Sequence, residues 1–141
     1  MYEHTIGVPL VMAGPGIPAG RRSATQCYLR DLFPTLCELS GVPVPAGLDG
    51  RSLNPVLSGE VQELHPFVVG YFTDTQRMIR TDRWKYVRYP QANREQFFDL
   101  ISDPNELRDL STVADHAAVM TDLRRRLDTW LAEHDDPLLS K

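Results

Sequence analysis

Apolar positions follow three different periods along the chain. Residues 8–13 (Val-Pro-Leu-Val-Met-Ala) are almost continuously apolar and are closed by Gly14-Pro15-Gly16. Such a run predicts a strand buried on both faces, as in a parallel sheet. That strand needs neighbours, and no other run in the chain has its pattern. A Gly- and Pro-rich loop, 15–23, precedes a helix that places Leu32, Phe33, Leu36 and Leu39 on one predicted core face. Pro34 lacks an N–H and must fall in the first turn, which makes Asp31 a first-turn or cap residue. Gly41, just ahead of Pro43, is the predicted C′ residue. Residues 42–58 contain three prolines and four glycines or serines, and are predicted to form an extended loop.

From residue 67 the period changes to two. Segments 67–72, 77–81, 84–89 and 96–100 are predicted strands, with Asp82-Arg83 as the turn of a hairpin. Their alternation predicts an antiparallel sheet with one covered face. The cover is a long helix from about Asp115 to His134, where Val119, Met120, Leu123, Leu127, Trp130 and Leu131 recur every three or four residues. Helix follows sheet rather than alternating with strands, so the fold class is α+β.

Composition changes this picture little. The 141 residues suffice for one domain with a core. A net charge of −4 gives no reason to expect nucleic acid or an acidic membrane surface as partner. No apolar run reaches the length of a membrane span. Cys27 and Cys37 make neither a disulfide framework nor a metal motif, and Cys37 reads as a buried thiol. Arg124-Arg125-Arg126 point in different directions on a helix and are expected to be a solvated face. Trp84 and Trp130 are expected to be core or half-buried aromatics.

The segment Met1 to Pro18 (Met-Tyr-Glu-His-Thr-Ile-Gly-Val-Pro-Leu-Val-Met-Ala-Gly-Pro-Gly-Ile-Pro) closely resembles an internal stretch of the sulfatases, within the alkaline-phosphatase-like group. Further segments resemble the same family in the same order. They are Asp31-Leu32-Phe33-Pro34-Thr35, Asp49-Gly50-Arg51-Ser52-Leu53, Arg80 to Tyr86, and Phe98-Asp99-Leu100 with Asp103-Pro104 and Glu106. The resemblance implies that residues 1–58 are the terminal strand and helix of an alkaline-phosphatase-like α/β catalytic domain. It implies that 59–141 form a C-terminal subdomain, a four-stranded antiparallel sheet packed on the last helix.

For a full-length parent the resemblance implies sulfate ester hydrolysis with a formylglycine nucleophile and calcium. The formylglycine motif, Cys or Ser followed by x-Pro-x-Arg, matches neither cysteine nor any serine here. The chain alone is therefore expected to be an inactive C-terminal portion, with no catalytic residue and no metal ligand of its own. Substrate-proximal candidates are His4, on the side where the chain enters, and Thr73, Asp74, Gln76 and Arg77 in the loop between two strands. Each has a plainer reading, a bonded terminal histidine or an ordinary polar turn. Tyr2 and Glu3 match the family pattern and are expected to be structural. Two alternatives stay open. One is a binding or assembly module, completed by the missing N-terminal catalytic half or by a self-partner through strand 8–13. The other is the tail of a related phosphate or phosphonate ester hydrolase.

Overall fold

A computed structural model describes residues 1–138. The chain forms helices α1 (Glu3–Ile6), α2 (Leu32–Leu39) and α3 (Asn54–Ser58). Strands β1 (Val68–Phe72), β2 (Gln76–Arg80), β3 (Trp84–Tyr89) and β4 (Arg94–Asp99) follow, and helix α4 (Ala117–Glu133) comes last. It divides into two compact units: Met1–Val8 together with Val69–Lys141, and Pro9–Val68.

In the first unit the strands make an antiparallel meander in the order β1-β2-β3-β4. The turn between β2 and β3 is closed at both ends of one residue. Thr81 N–H donates to Trp84 O at 2.9 Å, and Thr81 Oγ1 accepts from Trp84 N at 3.0 Å. Cross-strand register sets Ile79 opposite Tyr86 and Tyr86 opposite Phe97, and all three are fully buried. Helix α4 packs on β2 and β3 and buries Met120, Leu123, Leu127 and Leu131, the stripe its spacing predicts. The α+β arrangement, with four antiparallel strands and a long C-terminal helix, is as expected.

One expectation about this sheet is corrected. Register also places Arg80 opposite Lys85 and Lys85 opposite Phe98, on the face turned from Tyr86. That face carries polar residues, yet Lys85 is fully buried and Gln96 nearly so. Residues 1–8 cover it, so both faces of the sheet are occupied. Tyr2 packs edge-on against Phe98 at 5.9 Å between ring centres, and its hydroxyl donates to Gln96 Oε1 at 3.0 Å. Polar positions read as solvent-facing because their cover arrives from the far end of the sequence and is itself polar.

In the second unit α2 ends in a Schellman motif. Val42 N–H donates to Cys37 O at 2.9 Å and Gly41 N–H to Glu38 O at 3.1 Å, with Gly41 at φ 71°. Helix α3 falls inside the segment predicted as extended loop. Pro55 is compatible with a first helical turn, and Gly59 at φ 86° terminates it. Two expectations fail here. The apolar side of α2 is not its buried side: Pro34, Thr35 and Cys37 are buried, whereas Phe33 and Leu36 are 53% and 56% exposed. The run 8–13 forms no strand, and Val11 is 89% exposed. A parallel strand exists only through hydrogen bonds to neighbours, and no strand among the described residues pairs with this one.

Candidate functional site

Two polar clusters hold most of the motif residues. The first lies on the sheet face covered by residues 1–8. Lys85 Nζ sits 2.9 Å from Glu3 Oε1 and 2.8 Å from Glu106 Oε1, with the lysine and Glu106 almost wholly withdrawn from water. Arg80 Nε donates to the same Glu3 oxygen at 3.0 Å, and Glu3 N–H donates to Glu106 Oε2. Burial pushes the Glu3 carboxyl up, but Lys85 and Arg80 outweigh it and hold the group below its ordinary range. Glu106 reaches this position from a left-handed conformation, φ 55°. Its N–H is tied to Asp103 O at 3.1 Å, and Asp103 N–H to Asp99 O at 2.8 Å. The Asp-Pro-x-Glu turn is thus shaped to deliver one carboxylate to one buried ammonium. A non-glycine residue in that region carries strain of about 1 kcal/mol or more, which a charge-assisted contact offsets.

Asp99, which opens that turn, accepts from Arg83 Nη2 at 2.9 Å and Nε at 3.1 Å. This fork holds the Asp99 carboxyl below its ordinary range. On the opposite face, Arg124 forks onto Glu95 at 2.6 and 3.0 Å. Arg125 and Arg126 pair with Asp122 on their own helix, so the three arginines form no shared anion site. Trp84 stacks on Phe97 at 5.1 Å, consistent with a half-buried aromatic.

The second cluster joins two motifs of the other unit. Asp31 is completely buried. Its Oδ2 accepts from Tyr28 N at 2.7 Å and lies 2.8 Å from His65 Nε2, while Oδ1 accepts from Arg51 N at 2.8 Å. A carboxylate can only accept, so the imidazole carries its proton on Nε2. Thr35 Oγ1 donates to Asp31 O at 2.6 Å and accepts from Leu53 N at 2.8 Å. The Asp-x-x-Pro-Thr helix therefore grips the backbone of the Asp-Gly-x-Ser-Leu loop. Gly50 is required for the approach, because a Cβ there would stand 2.2 Å from Arg30 O. These residue types serve backbone satisfaction, not attack on a substrate.

The five substrate-proximal candidates fall in different surroundings. His4 is exposed on α1 and stacks on Tyr2 at 5.8 Å. Thr73 adopts φ 48° in the β1–β2 turn, and Asp74 accepts from Gln91 Nε2 at 2.8 Å; both are exposed. Gln76 Oε1 accepts from the Met1 amino group. Arg77 is only 3% exposed. Its guanidinium forks onto Asp136 at 2.7 and 3.1 Å and donates to Thr73 O and Gln76 O. That fork fixes the turn from beneath.

The family to which these motifs point uses calcium, and the carboxylates present do not fit it. Asp31, Glu3, Glu106, Asp99 and Asp136 each face N–H donors or cations. A calcium site instead needs several oxygens converging on one point. No group of three or more His, Cys, Asp or Glu among the described residues is arranged around a common centre.

Residues 1–133 match the family described as N-sulphoglucosamine sulphohydrolase, C-terminal. The chain is 35% identical to a Delta 4,5-hexuronate-2-O-sulfatase of Bacteroides thetaiotaomicron, over 96% of this chain and 30% of that protein. It is 38% identical to human Arylsulfatase K over 79% of this chain and 23% of the relative. A solved structure of a candidate sulfatase from Bacteroides thetaiotaomicron superposes with a TM-score of 0.77 at 34% identity, covering 92% of this chain and 30% of that one. The chain belongs to the sulfatase family, in the part that corresponds to its C-terminal domain. It spans about 30% of the length of the hexuronate-2-O-sulfatase.

Sequence reasoning missed both clusters as units. Glu3, Lys85 and Glu106 are spread over more than a hundred positions, so their convergence has no local signal. One clue was available: Lys85 is one of only two lysines among 15 basic residues, and it stands mid-strand. Asp31 stands at the N-cap of α2, as a first-turn or cap residue should, and beyond that its carboxylate joins Tyr28, Arg51 and His65.

Proposed function

We propose that this chain is the scaffold portion of a sulfuric ester hydrolase and has no catalytic activity by itself. The observation that carries the reading is the use of the motif side chains. Glu3, Asp31, Thr35 and Glu106 are spent on internal hydrogen bonds and ion pairs, so none of these four motif residues stands free as a nucleophile or base. For the whole protein, the family likeness supports sulfate ester hydrolysis, with formylglycine and calcium supplied by residues that this chain lacks. The relative named as a Delta 4,5-hexuronate-2-O-sulfatase makes a 2-O-sulfated unsaturated uronate the first substrate to test. His4, Thr73 and Asp74 are exposed and keep free faces, which supports them as rim positions of that protein's substrate pocket. Arg77 contributes by holding the turn.

An aryl sulfate and the 2-O-sulfated uronate are each incubated with the purified chain, with and without calcium. No turnover above a blank is expected. Calcium-dependent release of sulfate by the chain alone would contradict the reading.

A further inference from the structure

The exposed turn between β1 and β2 holds a residue in a conformation that its side chain disfavours. Thr73 has φ 48°, and for a β-branched residue the left-handed region is an outlier. Other non-glycine residues take positive φ, but Asn93 and Asp135 are of the kind that tolerates it, and Glu106 is held by Lys85. Such an outlier persists only where its surroundings over-determine it. Both peptide planes that flank Thr73 are fixed. Phe72 O, in the plane before it, accepts from Thr75 N–H at 3.1 Å and from Thr75 Oγ1 at 2.9 Å. Thr73 O, in the plane after it, accepts from Arg77 Nη1 at 2.7 Å. The first tie is local to the turn. The second comes from a buried guanidinium that another element holds.

That element is the end of α4. The helix closes in a Schellman motif: Asp136 N–H donates to Leu131 O at 3.0 Å and Asp135 N–H to Ala132 O at 3.4 Å, with Asp135 at φ 49°. His134 pins the last turn, because its ring stacks on Trp130 at 3.8 Å and its Nδ1–H donates to Trp130 O at 2.8 Å. The motif delivers the buried Asp136 carboxylate to Arg77 Nε and Nη2. A guanidinium is a rigid planar fork, so seating one edge on Asp136 fixes where Nη1 points. We propose that Asp136 is a positioning residue: acting through Arg77, it keeps the exposed 73–75 turn in a left-handed shape that Thr73 does not hold alone. The end of α4 and this turn are then coupled, and the coupling is mutual, so whatever fixes the turn also tightens the helix end. The use of the turn as a pocket rim rests on the function proposed above, whereas the coupling rests on geometry.

The test is NMR of the full chain. A strong amide–Hα cross-peak within Thr73 marks positive φ, and exchange of the Thr75 amide reports the bond that closes the turn. Asp136→Asn keeps the shape of the side chain and removes its charge. It is expected to weaken that cross-peak and to speed Thr75 exchange roughly tenfold, with the shifts of β3 and β4 unmoved. Arg77→Lys keeps a cation beside Asp136 but loses the planar fork, and is expected to loosen the turn as much. Asp99→Asn, which removes a carboxylate forked by Arg83, is expected to leave Thr73 unmoved. Adding Thr73→Asn to Asp136→Asn is expected to restore positive φ at position 73, because asparagine tolerates that region by itself. This rescue separates lost positioning from a general loss of stability. Circular dichroism and a cooperative urea transition confirm that each variant is folded, and where Asp136→Asn fails to fold, Arg77→Lys decides. A cross-peak and an exchange rate unchanged in the folded variants overturn the proposal, because the Thr75 bonds then suffice. So does a loosened turn that Thr73→Asn does not rescue. Conformation is the readout, so failure of the rim role leaves the coupling intact.

Discussion

The two units solve burial in opposite ways. In the unit of β1–β4 and α4, large apolar residues such as Ile79, Tyr86, Phe97 and Leu127 are inside, and both sheet faces are covered. Charges that go inside with them go as partners: Lys85 with Glu3 and Glu106, Arg77 with Asp136. In the unit of residues 9–68 the interior holds Asp31, Thr35 and His65 beside a few apolar groups, Cys37, Leu53 and Val56, while Phe33, Leu36 and Val11 lie outside. Hydrophobic burial dominates folding free energy, so the first unit has its driving force within the chain. The second holds its loops by directed hydrogen bonds, each contributing about 1 kcal/mol net. Several of its larger apolar side chains stay in water.

The sharpest way to break this comparison uses one residue type in both units. Phe97→Ala removes a fully buried ring and is expected to cost about 3–5 kcal/mol in urea unfolding. Lys85→Met keeps the volume but leaves the buried Glu106 without its ammonium partner and Glu3 with Arg80 alone. It is expected to cost a similar 3–5 kcal/mol or so. If Lys85→Met proves neutral, the ionic clasp is not what fastens residues 1–8. Asp31→Ala strands the Tyr28 and Arg51 N–H groups and His65, at about 3 kcal/mol. Its effect is expected to appear in amides of residues 9–68, as read by NMR, with β2–β4 shifts unmoved.

Acid sharpens the contrast further. Burial raises the carboxyl pKa of Glu3, Glu95 and Asp136, but neighbouring cations outweigh it. Asp99 is lowered mainly by Arg83, so all four titrate below their ordinary values of 4.5 for Glu and 3.8 for Asp. A depressed folded-state pKa gives stability that is fully present above the unfolded value and lost as pH falls through the folded one. The urea midpoint of the sheet unit is therefore expected to hold steady down to about pH 4.5 and to drop below it. A midpoint already falling between pH 7 and 5 would assign the loss to other groups. The smallest effect is expected of Phe33→Ala, within about 0.5 kcal/mol, as at an exposed surface position.

The sheet unit was legible in the sequence because its signals are local. Strand alternation in 84–89, the hairpin at Asp82-Arg83 and the stripe from Met120 to Leu131 each lie within one element. What escaped notice depends on distant segments. The sheet face that carries Lys85 and Gln96 beside Val87 and Phe98 read as solvent-exposed because its cover, residues 1–8, lies some seventy positions upstream. Helix α2 was recognised, with its Gly41 terminus, but its inward face was inverted. Periodicity reports which side of a helix is apolar, not which side is buried. The same holds for 8–13, whose apolar pattern was legible but which forms no strand among the described residues. Of the substrate-proximal candidates, only placement was decided: exposed surface for His4, Thr73 and Asp74, an internal fork for Arg77.

Amide hydrogen exchange of the isolated chain, read peptide by peptide by mass spectrometry, tests the central claim most directly. Slow exchange is expected in β2, β3, β4 and α4, and with them in residues 3–6, which the Lys85 clasp holds. Exchange faster by at least tenfold is expected across 9–68, including α2. Equal protection of α2 and β3 would contradict the account, because a unit with its apolar stripe in water would then be as stable as one with its core closed.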